Sequence, residues 1–563
     1  MLYSLRDAEP EAARELGAAL GLSPAVAQVL LNRGIRDAER ARAFLSPRLS
    51  DLTAPEGMAD RSAAAERLAR AVRAGEPITV FGDYDVDGTT SATILGGILE
   101  QLGGRVAVLV ANRFDGGYGL SDEALSRVLE TRPSLLVTCD CGSSDHARIA
   151  RAAQQGIDVV VVDHHLVPDE PLPAVAFLNP HRPECGFPYK GLCSAGLALS
   201  VGAAVRAELG ARLDLRSWLD LVALGTIADV APLDADNRAL VRAGLSLLTA
   251  PDARPGIAAL REIARVKPGR PLGAVDVAFR LTPRLNAAGR LGDQSLTLSL
   301  LRSRGLPEAR TLAARIEQLN DERKAIEARV TAQAIEQVQE IYGPAPEAGI
   351  VVAGEGWHRG VVGISAARLV DRFGVPVVVI AVDDGLGHGS ARAPEGVSVY
   401  EAVSRCHDDL ERFGGHAAAS GVAIRAERVD AFRAAFGDAT RELLAGAEVG
   451  PPPPDVDAVV GEGGYAMPTA PELLGLEPLG EGNAEPVFLL PEAHVRRARS
   501  VGDGHLKLSL SSAGRELSAF GLGMAGRAPR AGASIRAIGA LRPDSWVGGD
   551  AVELRLAELE VLG

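Results

Sequence analysis

Residues 77–95 read "PITVFGDYDVDGTTSATIL", and this stretch decides the fold class. Asp83, Asp85 and Asp87 alternate ahead of Gly88, like the opening of an EF-hand calcium loop, D-x-D-x-D-G. Such a loop needs a bidentate Glu at its twelfth position, which here is Ile94, and a helix in front. The lead-in "PITVF" is instead a short β-branched run of the kind that forms a buried strand. After Gly88, "TTSATILGGILEQLG" carries apolar residues at helical spacing. The three carboxylates therefore stand where a strand passes into a helix, the edge at which open α/β sheets collect ligands. A catalytic metal site is expected there, not a calcium sensor.

The pattern repeats downstream. "RVAVLV", "SLLVT", "DVVVV" and "AVAFL" read as further strands, with helical patterns between several of them. A doubly wound, mostly parallel α/β sheet follows. The domain boundaries expected are a helical lead-in over 1–60, the catalytic α/β domain over 61–250 and a helical connector over 251–345. A second α/β domain spans 346–449, and a small β-barrel spans 456–563. The connector contains a long charged helical pattern at 306–342, and "GPPPPD" at 450–455 is a stiff linker. Short alternating segments such as "HLKLSLS" and "AVELRLAELEV" indicate the barrel.

At 563 residues the chain is too long for one core, and its 47% apolar and 23% charged composition is that of an ordinary globular protein. No apolar run is long enough to span a bilayer, and the N-terminus lacks a signal-peptide pattern, so a cytoplasmic protein without membrane partners is expected. Five cysteines in so long a chain argue for buried thiols, not a disulfide framework. The net charge of −14 argues against a simple nucleic-acid coat protein. It does not exclude a nuclease whose carboxylates bind metal.

Three more acidic signals follow strands or helices. Asp140 ends "SLLVTCD", Asp163, His164 and His165 follow "DVVVV", and Asp229 follows the apolar helix "LVALGTIA". A single Asp at a strand end is often only a helix cap, but a buried strand emptying into D-H-H is hard to explain by packing. Asp83, Asp85, Asp87, Asp140, His164 and Asp229 together supply oxygen and imidazole ligands for two divalent cations, and Mn²⁺ or Mg²⁺ suits that set better than Zn²⁺.

The ordered set "GDYDVDG", "TCDCG", "VDHH" and "IADVAPL" resembles the motifs of the DHH phosphoesterases. "NRFDGGYGLS", "LTPRLNAAGR", "GEGWHRGVVGISAARL", "GHGSARA" and "FGGHAAASG" narrow the resemblance to the RecJ-type exonucleases of bacteria. The resemblance implies a catalytic DHH domain, a DHH-associated second α/β domain and an OB-like barrel. It also implies 5′-to-3′ removal of mononucleotides from single-stranded DNA with Mn²⁺ or Mg²⁺, in recombination and repair. By motif, Asp85, Asp87, Asp140, His164 and Asp229 are metal ligands, Asp83 is a ligand or close neighbour, and Asp163 and His165 orient ligands or the scissile phosphate. Many relatives carry a His where this chain has Phe81. Single-strand-binding protein and a recombination helicase are partners implied by the resemblance alone. Two rival functions are a DHH phosphodiesterase for short oligonucleotides or cyclic dinucleotides, and a non-catalytic replication scaffold of the same fold.

The remaining motifs suit a grip on DNA. His358, Arg359, Gly363 and Ser365 stand at a loop-to-helix start, where backbone N–H groups bind anions. His388, Ser390 and Arg392, and Gly415 and His416, offer further phosphate contacts. Arg284, Asn286 and Arg290 are expected to clamp the strand between domains, and Tyr118 to stack on a base. Residues 494–545 hold nine Lys and Arg against Asp503, Glu516 and Asp544, so the barrel is expected to be locally basic.

Overall fold

The structure is a computed structural model that describes residues 3–562 apart from Asp115, Pro268, residues 446–452, Asp503 and Ser545. Residues 450–452 of the expected linker thus lie outside the described residues. The chain forms two compact units. One comprises 1–111, 115–282 and 453–563, and the other 112–114 and 283–452.

The first unit is built on five parallel strands, β1 (Pro77–Gly82), β2 (Arg105–Val110), β3 (Leu135–Cys139), β4 (Asp158–Val162) and β5 (Ala176–Leu178). Their order is β2-β1-β3-β4-β5. The chain leaves β1 for β2 on one side and returns to β3 on the other, so the topological switch point lies between β1 and β3. Helices cover both faces, which is why the strands read as continuous apolar runs. Leu125, Val128, Ile149 and Ala152 pack on Phe81, Leu136, Val159 and Val161 on one face. The helices Val86–Gln101 and Ser194–Glu208 lie against the sheet and each other.

The same unit holds the C-terminal barrel, of strands Val487–Val501, His505–Ser512, Arg515–Gly521, Ser534–Pro543 and Val552–Val561. The first barrel strand pairs with both the second and the fourth, which closes the barrel. The third and fifth run parallel. The resulting order, first-second-third-fifth-fourth, is that of an OB fold.

The N-terminal helices Pro10–Leu20, Pro24–Asn32 and Ala38–Leu45 share one core with the barrel, where Leu16, Val26 and Leu30 join Phe488, Leu490 and Leu476. Ser4–Leu5 adds a short parallel pairing to Asp455–Val456. Arg238 stitches this assembly to the catalytic domain. Its buried guanidinium donates to the carbonyls of Phe44, Gly475, Leu476, Glu477 and Pro478 at 2.6–3.3 Å and lies 3.8 Å from the Phe44 ring centre.

The second unit has a five-stranded mixed sheet in the order Arg412–His416, Ala419–Arg425, Leu386–Arg392, Val377–Asp383, Ile350–Glu355. The expected connector is no separate body. Its last part, the 37-residue helix Leu306–Tyr342, buries Val330, Ala334 and Val338 against this sheet's core. Replacing Arg238 by Ala strands five carbonyls, and loss of charge-assisted hydrogen bonds of this kind costs about 3 kcal/mol. Urea unfolding of the Arg238→Ala protein is expected to show a lower midpoint with an unchanged metal site.

Candidate metal centre

Three acids occupy equivalent places on the sheet edge. Asp83, Asp140 and Asp163 are each the first residue past a strand, and each donates its own N–H to the last residue of the next strand. Asp83 bonds the Cys139 carbonyl at 3.2 Å, Asp140 the Val162 carbonyl at 2.9 Å and Asp163 the Leu178 carbonyl at 3.0 Å. The ladder thus continues one step beyond each strand and fixes the carboxylates in a row. Asp140 takes a left-handed backbone, φ 64°, which short polar residues tolerate. A Cβ on Gly82 would lie 2.1 Å from the Gly88 carbonyl oxygen, so only glycine lets the strand end meet the helix start this closely.

Each carboxylate is then held by donors. Asp87 is buried and accepts from the Ser194 and Ala195 N–H groups at 2.7 and 3.0 Å, at the start of the helix Ser194–Glu208. Asp85 caps the helix Val86–Gln101 by accepting from Gly88 N–H at 2.9 Å. Asp83 accepts from Gly119 N–H at 3.2 Å, and Asp140 from the Ser194 hydroxyl at 3.2 Å. Both helix starts aim their positive dipole ends at the acids. Asp229 follows the helix Leu219–Ala228, in which Gly225 leaves room for Asp87. A Cβ there would sit 2.6 Å from Asp87 Oδ1.

His164 collects these groups. Its Nε2 lies 3.2 Å from Asp140 Oδ1, 3.8 Å from Asp229 Oδ2 and 3.9 Å from Asp87 Oδ2. That nitrogen is buried and forms no hydrogen bond to the described residues. Burial, then the His165 charge, lowers the His164 pKa to about 4, so the ring is neutral and its Nε2 lone pair can take up a cation. Burial followed by carboxylate repulsion raises Asp87 to about 6 and Asp229 to about 8, and drives Asp140 well above the usual range. Three ligand groups arise, each with its atoms within 4.8 Å: Asp83, Asp85 and Asp140; Asp87, His164 and Asp229; and Asp140, His164 and His165. An orphaned imidazole nitrogen among mutually repelling oxygens fits hard divalent cations such as Mn²⁺ and Mg²⁺.

A second network lies beside the first. Asp163 accepts from the N–H groups of His164, His165 and Ser143 and, at 2.7 Å, from His165 Nδ1. Burial alone would lower the His165 pKa, but the Asp163 bond and charge raise it to about 9. The same partners hold Asp163 below its ordinary range against burial. The Tyr118 hydroxyl donates to the Asp140 carbonyl at 2.8 Å and lies 2.9 and 3.0 Å from the His165 ring nitrogens. The residue as a whole is 49% exposed, while its hydroxyl is committed. Phe81 lies wholly in the core. Sequence reasoning misses Ser194, Ala195 and Asn179, which donates to the His165 carbonyl, although "CSAG" at a helix start is an available signal for the first two.

In the second unit the structure brings some candidates together and corrects others. Arg392 donates to the Ser390 hydroxyl at 2.8 Å, and both line Gly363 near the start of the helix Val362–Phe373, where a Cβ would lie 3.0 Å from Ser390 and 3.2 Å from Arg392. His388 lies two residues before Ser390 on the same strand, half-buried. Arg359 lies over the Phe114 ring and donates to its carbonyl, and Arg290 donates to the Gly360 carbonyl. His358 Nδ1 accepts from Gly360 N–H, and its ring meets Phe114 edge-on. Gly415 closes on Ala419 in a hairpin, with His416 exposed at its tip and Asn286 half-buried on its helix. Ser365 is not a phosphate ligand. It is fully buried and accepts from Thr331 at 2.9 Å, tying two helices together. Arg284 is not a free clamp, because Glu317 grips it at 2.7 and 2.9 Å.

The barrel is not basic as a whole. Over 456–563 acids outnumber Lys and Arg by 14 to 10. Lys507, Arg527, Arg536 and Arg542 pair with Glu553, Glu558, Glu560 and Glu485, all outside the stretch that reads as basic. Arg496, Arg497, Arg499 and Arg530 stand exposed, with no ion pair among the described residues, and a bulge in the first strand falls at Arg496. Asp503 lies outside the described residues. No described helix is long and apolar enough to cross a membrane, and all five cysteines are buried and free.

Comparison with known proteins agrees with the geometry. Residues 77–226 match the DHH family N-terminal domain, 347–442 the DHHA1 domain and 456–558 the RecJ OB domain. The chain is 40% identical over 478 residues to the single-stranded-DNA-specific exonuclease RecJ of Dickeya dadantii, covering 80% of this chain and 81% of that protein. It is 34% identical to the Bacillus subtilis protein of the same name, covering 92% of this chain and 66% of the relative. The crystal structure of RecJ in complex with Mn²⁺ from Thermus thermophilus superposes with a TM-score of 0.81 at 32% identity, over 99% of this chain and 79% of that one. The Mg²⁺ complex from the same organism gives 0.75 at 29% identity, over 99% of this chain and 78% of that one.

A buried acid cluster opposes folding until cations bind. Saturating Mn²⁺, at about a hundred times its dissociation constant, is expected to stabilise the protein by about 2.7 kcal/mol, read as a rise in melting temperature that Asp140→Ala removes. In chelator the sign of the pH effect follows from the raised values. Between about pH 7 and 9 the folded state holds protons on Asp229 and His165 that the unfolded chain has released. The metal-free melting temperature is therefore expected to fall as pH rises through that window.

Proposed function

The chain belongs to the RecJ branch of the DHH family, and we infer that it is a metal-dependent exonuclease acting on single-stranded DNA. One observation carries the inference. Carboxylates from the ends of β1 and β3 and from the end of the helix Leu219–Ala228 converge on the orphaned Nε2 of His164, which follows β4.

Asp83, Asp85, Asp87, Asp140, His164 and Asp229 hold a pair of Mn²⁺ or Mg²⁺ ions. When bound, such ions make water a competent nucleophile and offset charge on the phosphate. The side chains do the rest. Backbone N–H groups and helix starts keep each carboxylate aimed at the edge, so the ligands need no rearrangement when substrate arrives. His165, fixed by Asp163 and Tyr118, presents a cation to the phosphate oxygens. Asp163 acts through His165 and does not ligate. The half-exposed Tyr118 ring offers a stacking surface for a base.

In the second unit, Gly363, Ser390 and Arg392 at a helix start supply backbone N–H and guanidinium groups for a further phosphate, with His388 alongside. In the barrel, Arg496, Arg497, Arg499 and Arg530 track the strand backbone. Attack proceeds from the 5′ end and releases mononucleotides, as suits recombination and repair in the cytoplasm. A single-strand-binding protein and a recombination helicase are the partners proposed for it, on the resemblance of the motifs alone.

Digestion of one oligonucleotide labelled at its 5′ end, and again at its 3′ end, with Mn²⁺ present, tests the assignment. The 5′ label is expected to appear at once as a mononucleotide, while the 3′ label stays on long products until late. Asp140→Ala is expected to bind the strand and fold but not cleave it. Internal nicking, or full activity in that variant, refutes the assignment.

A further inference from the structure

Val230 occupies a backbone position that favours glycine. The helix Leu219–Ala228 ends in a Schellman turn. Ala231 N–H bonds the Thr226 carbonyl at 3.1 Å, Val230 N–H bonds the Ile227 carbonyl at 3.3 Å, and Val230 itself has φ 58°. A β-branched residue there is a true outlier, because its Cβ crowds the following carbonyl. Such a cost is ordinarily offset by packing of the side chain. Val230 gains little of that, since it is 65% exposed.

Its position explains what the side chain is for. Val230 directly follows Asp229, whose carboxylate lies 3.8 Å from His164. Leu166, 69% exposed, directly follows His165, and the half-exposed Tyr118 ring is tied to His165 through its hydroxyl. Three apolar side chains therefore stand open to solvent, each within two residues of the acid-imidazole cluster or hydrogen-bonded to it. Exposed apolar groups beside charged ligands are suited to a substrate that is part anion and part hydrophobe.

We propose that Val230 and Leu166 form an apolar ledge that packs against the non-phosphate part of the nucleotide at the scissile bond and so positions its phosphate over the ligand cluster. The proposal rests on the nuclease assignment and adds to it two positioning residues that touch no metal. The strained turn sets the direction of the Val230 isopropyl group, and the shortness of the turn ties that direction to Asp229.

The test is Val230→Gly in the full chain. Glycine relaxes the backbone, so the melting temperature is expected to hold or rise. Loss of the apolar contact is expected to raise KM for a single-stranded oligonucleotide about tenfold, with kcat changed less than about twofold. Val230→Ala, which keeps the strain but removes the methyls, is expected to fall between. Leu166→Ala is expected to raise KM in the same manner. An oligonucleotide with an abasic 5′-terminal residue separates base from sugar. If the contact is to the base, the difference between wild type and Val230→Gly disappears on that substrate. If it is to the sugar, the difference persists. A wild-type KM in Val230→Gly overturns the proposal, as does a loss confined to kcat, which would mean that Asp229 had moved. Absence of cleavage by the wild type would instead refute the nuclease assignment.

Discussion

Buried carboxylates cannot share a few ångströms of space unless something meets their charge, and the catalytic half of the molecule is organised around that constraint. Asp83, Asp87 and Asp140 are almost wholly inaccessible, and burial pushes Asp87 and Asp229 toward protonation, helped at Asp87 by Asp85 and at Asp229 by Asp87 and Asp85. The fold answers twice. Backbone N–H groups and two helix starts hold the carboxylates in place, and ligand atoms of neighbouring acids and His164 come within 4.8 Å of one another, close enough for a hard cation. A parallel sheet is the natural frame, because all its strands end at one edge, and the helices Val86–Gln101 and Ser194–Glu208 start at that edge with their positive ends toward the acids. An antiparallel sheet would send alternate strand ends to opposite edges.

The sequence announces this edge well because its signals are local. A short strand-like run that ends at an Asp is readable without knowing any partner, and β1, β3 and β4 all have that form. Strand order 2-1-3-4-5 then makes Asp83 and Asp140 neighbours, which spacing alone does not reveal. Asp229 follows a helix rather than a strand, and its place at the edge depends on Gly225 letting two helices approach Asp87.

What is not legible is set by distant pairing. Arg284 reads as a free cation and is occupied by Glu317, and Ser365 reads as an exposed hydroxyl and is sealed against Thr331. The lead-in reads as a separate helical segment, yet its apolar face completes the core of a barrel more than 400 residues away in sequence, and Arg238 binds carbonyls from both ends of the chain. Helical periodicity shows that a face is buried but not what buries it. The same holds for charge. A window of sequence counts cations, whereas the fold decides which of them are already spent.

That distinction resolves how a chain of net charge −14 handles a polyanion. Charges separated by more than about 10 Å are largely screened at moderate salt, so the total is a poor guide to any one surface. In the barrel, four of the cations are neutralised by glutamates, and the exposed Arg496, Arg497 and Arg499, which have no ion pair among the described residues, lie at or beside the bulge in the first strand. At the sheet edge the acids that dominate the local charge are those grouped closely enough to be neutralised by bound cations. The molecule is thus acidic where its carboxylates cluster or pair internally, and basic over short stretches whose arginines have no ion pair among the described residues. On the proposed function, affinity for a phosphate backbone follows from those few groups and from cation occupancy, not from the sum over the chain.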